Sequence, residues 1–435
     1  MRRFWCRPGR SVALLFLLLW LGPLAAQPLA AQPLAARPLA ARPLAARPLA
    51  ARPLAARPLA AQPLAQSEGG WRSTADYAFG QAMTFQLNGV SATDFTGATL
   101  LFQAPEFDNT FVAAVPLTDG RQIAISHRVD LRQVRLAPFT TVTYWWVLET
   151  AAGQTITLPP QQFLYQDDQF DWRELAQDSV RVHWTGDDLA LGQLALDVVA
   201  EALPRWQAIL PLPQDVAFNL YLYPSSADLR AALRLTGRDW VGAHAHPELG
   251  VLLVTAVNSR TAAADLRQSI PHEMSHYLLY QTLGPVAYDH LPIWLGEGLA
   301  TMMEANPNPS YGVVLETAVA AYQTLPLADL CGRFPAAEDK VVLAYAQSES
   351  LTRYIQARFG NQALRSLLAA YADGQECDAG VQRATGLSLA ELEKAWLAAQ
   401  QPKTLWTQVW EQQGVWLLLL LGSFLMTGLI IWQTK

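Results

Sequence analysis

The sequence predicts a multidomain chain: a small β-sandwich, an α+β domain with a helical C-terminal half, and one transmembrane helix near the C-terminus. Three observations carry this prediction. Residues 71–166 hold short runs of β-branched and aromatic residues at regular spacing, the pattern of many short strands. From residue 171 strand and helix patterns mix, and beyond residue 272 helical patterns dominate to residue 400. Residues 415–432 then run without a charge, rich in Leu and Ile, with Trp410, Trp416 and Trp432 at the margins, as a single membrane-crossing helix would.

The first segment, 1–26, has Arg2, Arg3, Arg7 and Arg10, then an apolar run, then small residues around Ala25 and Ala26. That is the layout of a secretory signal peptide. Residues 27–66 repeat Pro-Leu-Ala-Ala-Gln/Arg. A Pro at every fifth position removes backbone donors too often for a helix, so the segment reads as a disordered spacer. With a linker at 401–414, the span at 415–432 and a short tail at 433–435, everything between signal and span is expected outside the cytoplasm, on a single-pass anchor in the cell membrane.

Charge narrows the partners. The net charge of −6 conceals nine Arg and no acid within residues 1–66. Taking those nine from 31 basic residues leaves 22 against 37 acidic ones, a balance of −15 over residues 67–435. Such a surface argues against nucleic acid and against adhesion to anionic lipid. Of the three Cys, Cys6 would leave with the signal, and Cys331 and Cys377 remain as an even pair suited to a disulfide.

Within 71–166, strands are expected over 83–87, 99–102, 111–115, 122–126 and 140–148, with 140–148 and 155–158 flanking Ala151-Ala152-Gly153-Gln154 as a hairpin. The pattern suits a sandwich of immunoglobulin or fibronectin type III style, acting as a spacer for the α+β domain. Within 171–400, strands are expected over 179–184, 217–223 and 249–254 and a helix over 189–210. Ser226 is placed as a helix cap and Gly360 as a helix end, and Ser388 with Glu391 has the spacing of a capping box.

The chemistry lies in His272-Glu273-Met274-Ser275-His276 and in Trp294-Leu295-Gly296-Glu297-Gly298. Residues four apart share a helix face, so His272 and His276 can offer two imidazoles to one metal ion. Glu297 supplies a third, anionic ligand from a later helix. Two His and one Glu with an open fourth position is the donor set of a catalytic zinc site, one Zn2+ per chain. Glu273 stands where its carboxylate can accept a proton from a metal-bound water.

These motifs resemble the gluzincin metallopeptidases, the peptidase MA-like group that includes thermolysin and the aminopeptidase N family. Leu291-Pro292-Ile293-Trp294-Leu295-Gly296-Glu297-Gly298-Leu299-Ala300 and Ala344-Tyr345-Ala346-Gln347-Ser348 extend the likeness, which covers residues 175–400. The resemblance implies a gluzincin-type domain at 171–400 that hydrolyses peptide bonds, with His272, His276 and Glu297 as zinc ligands, Glu273 as general base and Tyr345 as oxyanion donor. Twenty residues separate His276 from Glu297, slightly more than in those relatives. Aminopeptidase N relatives carry an amine-binding Glu on the strand before the zinc helix. The counterpart here, Gly242-Ala243-His244-Ala245-His246, has none, which favours an endopeptidase. Pro271 places the start of the zinc helix near Ser269. His244 and His246 are expected on an edge strand by the cleft, His290 beside the third ligand, and His127 and His183 away from the site. A protein that kept this fold only for binding or sensing at the cell surface would not need Glu273.

Overall fold

The computed structural model describes residues 70–433, apart from 108, 118–119, 213–214, 235–241, 336 and 402–404. The expected signal peptide and repeat spacer lie outside the described residues, as do parts of the expected linker and tail.

The first domain contains β1 (Arg72–Ala78), β2 (Ala82–Val90), β3 (Phe95–Gln103), β4 (Phe111–Val115), β5 (Gln122–Asp130), β6 (Thr140–Thr150), β7 (Thr155–Thr157) and β8 (Gln161–Tyr165). One antiparallel sheet has the order β1-β2-β5. The other runs β4-β3-β6-β7, and β8 also pairs with β6. Alternation decides the packing: Thr140, Val142, Tyr144, Trp146 and Leu148 of β6 point inward while their neighbours face outward. They meet Phe85, Leu87, Leu100 and Phe102 in one core. The expected hairpin at 151–154 joins β6 to β7.

The second domain contributes β9 (Arg173–Gln177), β10 (Val180–Trp184), α1 (Leu189–Gln207), β11 (Phe218–Tyr223), α2 (Ser226–Leu233), β12 (Ala243–His246) and β13 (Val251–Thr255). Their sheet has the order β12-β13-β11-β10-β9, with β10, β11 and β13 parallel and the two edge strands antiparallel. Then come α3 (Ala263–Leu283), α4 (Pro285–Asp289), α5 (Ile293–Met303), α6 (Ser310–Ala320), α7 (Glu338–Ala372), α8 (Cys377–Thr385), α9 (Leu389–Gln400) and α10 (Leu405–Gln433). The central strands are buried on both faces, and period-2 alternation assigns each face to a different core. Leu220, Leu222, Leu252 and Val254 pack with α1 and α3. Tyr221, Tyr223, Val251 and Leu253 pack with the β-domain. The β-domain therefore packs as one layer against the second domain's sheet rather than standing off as a detached spacer.

Several sequence expectations change. Ser225, not Ser226, caps α2: its hydroxyl accepts from the Asp228 amide at 3.1 Å. Gly360 does end a helix as expected: its φ of 77°, a left-handed value suited to Gly, breaks α7 into two helical segments. The capping box at Ser388 and Glu391 is present, and Cys331 is disulfide-bonded to Cys377.

The membrane span is not supported. Among the described residues no helix is long and apolar enough to cross a membrane. In α10 the large apolar side chains between Trp416 and Met426 are exposed.

Candidate metal centre

The helix α3 starts eight residues before Pro271, not at Ser269. A Pro inside a helix cannot donate to the carbonyl four residues earlier and leaves it orphaned. Here that carbonyl belongs to Arg267, and the Ala305 amide donates to it at 2.8 Å. The Pro271 carbonyl in turn accepts from the Ser275 hydroxyl at 2.6 Å, and the Trp206 indole donates to the same hydroxyl at 3.0 Å. The proline gap is thus closed by the chain just beyond α5, which ties the two ligand-bearing helices together.

Gly298 brings α5 against α7. A Cβ at this position would meet Thr352 Oγ1 at 2.3 Å and the Ser348 carbonyl oxygen at 2.5 Å, so only Gly permits the approach. With Trp294 and Leu295 fully buried, α5 has one available setting, and it directs Glu297 to α3.

His272, His276 and Glu297 converge, with one ligand atom from each lying within 4.8 Å of the others. Glu297 Oε2 is 3.3 Å from His272 Nε2 and 3.7 Å from His276 Nε2. It is also buried without a well-directed hydrogen bond. Three donor atoms aimed at one point rather than at each other fit a cation, and the donor types fit zinc.

The other imidazole nitrogens are also held. With Nε2 turned to the common point, each Nδ1 carries the proton: His272 donates to Glu304 Oε1 at 3.0 Å and His276 to the Tyr288 hydroxyl at 3.2 Å. Glu304 is buried, and its Oε2 has no partner among the described residues. The motifs do not single out Glu304 or Tyr288. Glu304 has a signal nonetheless, because it sits seven residues after Glu297, two turns along the same helix face. Tyr288 precedes the expected neighbour by two positions, and His290 is itself exposed at the end of α4.

Electrostatics follow from burial. Burial opposes charge on His272 but is outweighed by the neighbouring Glu297 and Glu304 carboxylates, which hold its pKa well above the usual range. Burial, with the Glu297 and Glu304 charges adding, pushes Glu273 up to about 7. Burial, with the Glu297 and Glu273 charges adding, raises Tyr345.

The five residues singled out from the motifs, His272, Glu273, His276, Glu297 and Tyr345, all line one cleft of about 540 Å³. His244 and His246 line it from the edge strand β12. His183 lies inside the sheet, bonded to Asn219 at 3.0 Å and stacked on Tyr221. His127 is on β5, outside the cleft.

Sheet, crossing helices and a His-His-Glu donor set make this a domain with a candidate metal site, preceded by β-sheets. Residues 202–401 match the sequence profile of the peptidase MA superfamily. No curated protein matches the chain. Among solved structures, a myokine is 12% identical over 23% of this chain and 98% of its own length, with a TM-score of 0.19. OgpA from Akkermansia muciniphila is 13% identical over 24% of this chain and 30% of its own, also at 0.19. A Parabacteroides merdae β-glucuronidase is 10% identical over 49% of this chain and 27% of its own, at 0.20. Likenesses this weak carry no argument.

Proposed function

We propose that this protein is a zinc-dependent peptidase that cuts within polypeptide chains. The observation that carries the reading is the convergence of His272, His276 and Glu297 beside a buried, otherwise unassigned Glu273 in an open cleft. When bound, the metal supplies Lewis-acid polarisation and an acidified water at neutral pH. Glu273 accepts the proton of the attacking water and returns it to the leaving nitrogen, a role suited to a carboxyl whose pKa burial moves toward 7. Tyr345, kept protonated by burial and its carboxylate neighbours, donates a hydrogen bond to the developing oxyanion. Glu304 and Tyr288 fix the two imidazoles in the ligating tautomer.

Endopeptidase action is favoured because β12 presents His244 and His246 and no carboxylate for a substrate amine. A location outside the cytoplasm is supported by the disulfide between Cys331 and Cys377, since such bonds persist in oxidising compartments.

The test measures zinc content together with cleavage of casein and of peptides with free and blocked N-termini. Stoichiometric zinc, cleavage of blocked peptides, and loss of cleavage but not of zinc in Glu273→Ala are expected. Zinc binding with no cleavage above the Glu273→Ala level would sink the reading and leave a binding module. Cleavage confined to free N-termini would overturn the endopeptidase part.

A further inference from the structure

The cleft has a second wall, supplied by the β-domain. The loop between β5 and β6 brings Arg135, Leu136 and Pro138 to the cavity that also holds Glu273 and Tyr345. This loop is built, not merely adjacent. Glu106 accepts from the Ala137 amide at 3.0 Å and from the Thr140 hydroxyl at 2.6 Å. Arg234, at the end of α2, donates to the Leu131 carbonyl. Phe139 takes φ 66°, a left-handed value that is an outlier for a bulky residue. It is held there by stacking on Tyr221 of the peptidase sheet, with ring centroids 3.5 Å apart. Backbone strain of this kind persists where surrounding structure over-determines it, and it concentrates at ligand clamps and active sites.

Each carboxylate that lines the cleft is already engaged by its own neighbours. Glu273 and Glu297 belong to the metal centre. Glu106 spends both oxygens on the loop, and Glu248 accepts from His246 at 3.1 Å. Arg234 donates to a carbonyl and has no ion-pair partner among the described residues. Arg135 is exposed into the cleft with no ion-pair partner among the described residues. A chain with a strong acidic excess over residues 67–435 thus carries two guanidinium groups in the lining of this cleft.

Resting on the peptidase reading, we propose that Arg135, with Arg234 behind it, is a subsite for an acidic side chain, so that the substrates are polypeptides carrying Asp or Glu in the bound segment. A guanidinium matches a carboxylate with two parallel hydrogen bonds, which gives direction as well as charge. The β-domain is then a specificity element of the same cleft.

The test measures binding rather than turnover, using the full zinc-loaded chain in a Glu273→Ala background. Fluorescein-labelled peptides, blocked at both ends and differing at one position as Glu, Gln or Lys, are titrated by anisotropy at low and high salt. Affinity in the order Glu, Gln, Lys is expected, with Glu over Gln by about three- to tenfold at low salt, given the exposure of the pair. Adding Arg135→Ala should bring the Glu-to-Gln ratio close to one, Arg135→Lys should keep most of it, and Arg135→Glu should reverse the order. Equal affinities, no binding at all, or a preference that survives Arg135→Glu would overturn the proposal. So would a peptide without acidic side chains but with a free C-terminus that binds as tightly as the Glu peptide, since the subsite would then serve a chain end. An acid preference in a protein that cuts nothing would sink only the peptidase reading, and cleavage without such a preference would sink only this one.

Discussion

The two walls of the cleft are held by different means. The metal-centre wall is made of buried polar groups that share partners: Glu304 on His272, Tyr288 on His276, and Glu297 facing both imidazoles. The β-domain wall is made of backbone hydrogen bonds, one aromatic stack and a strained residue, and it presents its charges to solvent. The first arrangement fixes atoms to fractions of an ångström, which ligation and proton transfer need. The second fixes a surface while leaving the long Arg135 side chain free to find its partner. On the proposed reading, chemistry and selection would fall to these two differently held walls.

Substitutions can break or sharpen that contrast. The largest effect is expected at Glu297→Ala, which removes a ligand outright. Metal affinity, measured by competition with a chelator, should fall by more than the roughly 10–100-fold typical of outer-shell partners. Next is Phe139→Ala, which removes a buried ring and should cost about 3–5 kcal/mol of stability, read from the denaturant midpoint. Stoichiometric metal should survive in the folded fraction, and its loss would show that the two walls are not separable. Glu304→Gln keeps the shape but loses the anion, so metal affinity should drop by about 10–100-fold with little change in melting temperature. The smallest change is expected for Tyr288→Phe, where one neutral hydrogen bond worth about 1 kcal/mol is lost, for a decrease of about fivefold in metal affinity.

The same contrast explains what the sequence disclosed. His272, Glu273 and His276 lie within five residues on one helix, so local geometry alone groups them, and the Trp-Leu-Gly-Glu-Gly segment advertises its ligand. The strand alternation of β6 is equally readable because one face is wet. The role of the β-domain is not. Phe139 and Tyr221 are 82 positions apart and meet only when both faces of the second sheet are covered, and a strand buried on both faces has no alternation to say by what. The start of α3 is hidden for a similar reason: Pro271 looks like a boundary until a distant amide, Ala305, takes the carbonyl it frees. The apolar run over 415–432 is an expectation that no helix among the described residues supports.

That bond between Ala305 and Arg267 has a kinetic consequence. An amide just past a helix end ordinarily exchanges its hydrogen with solvent quickly, because fraying exposes it. The Ala305 amide is instead locked across two helices and can exchange only when they part. Its deuterium uptake is therefore a clock for the opening of the metal centre, one that runs without substrate, turnover or bound metal.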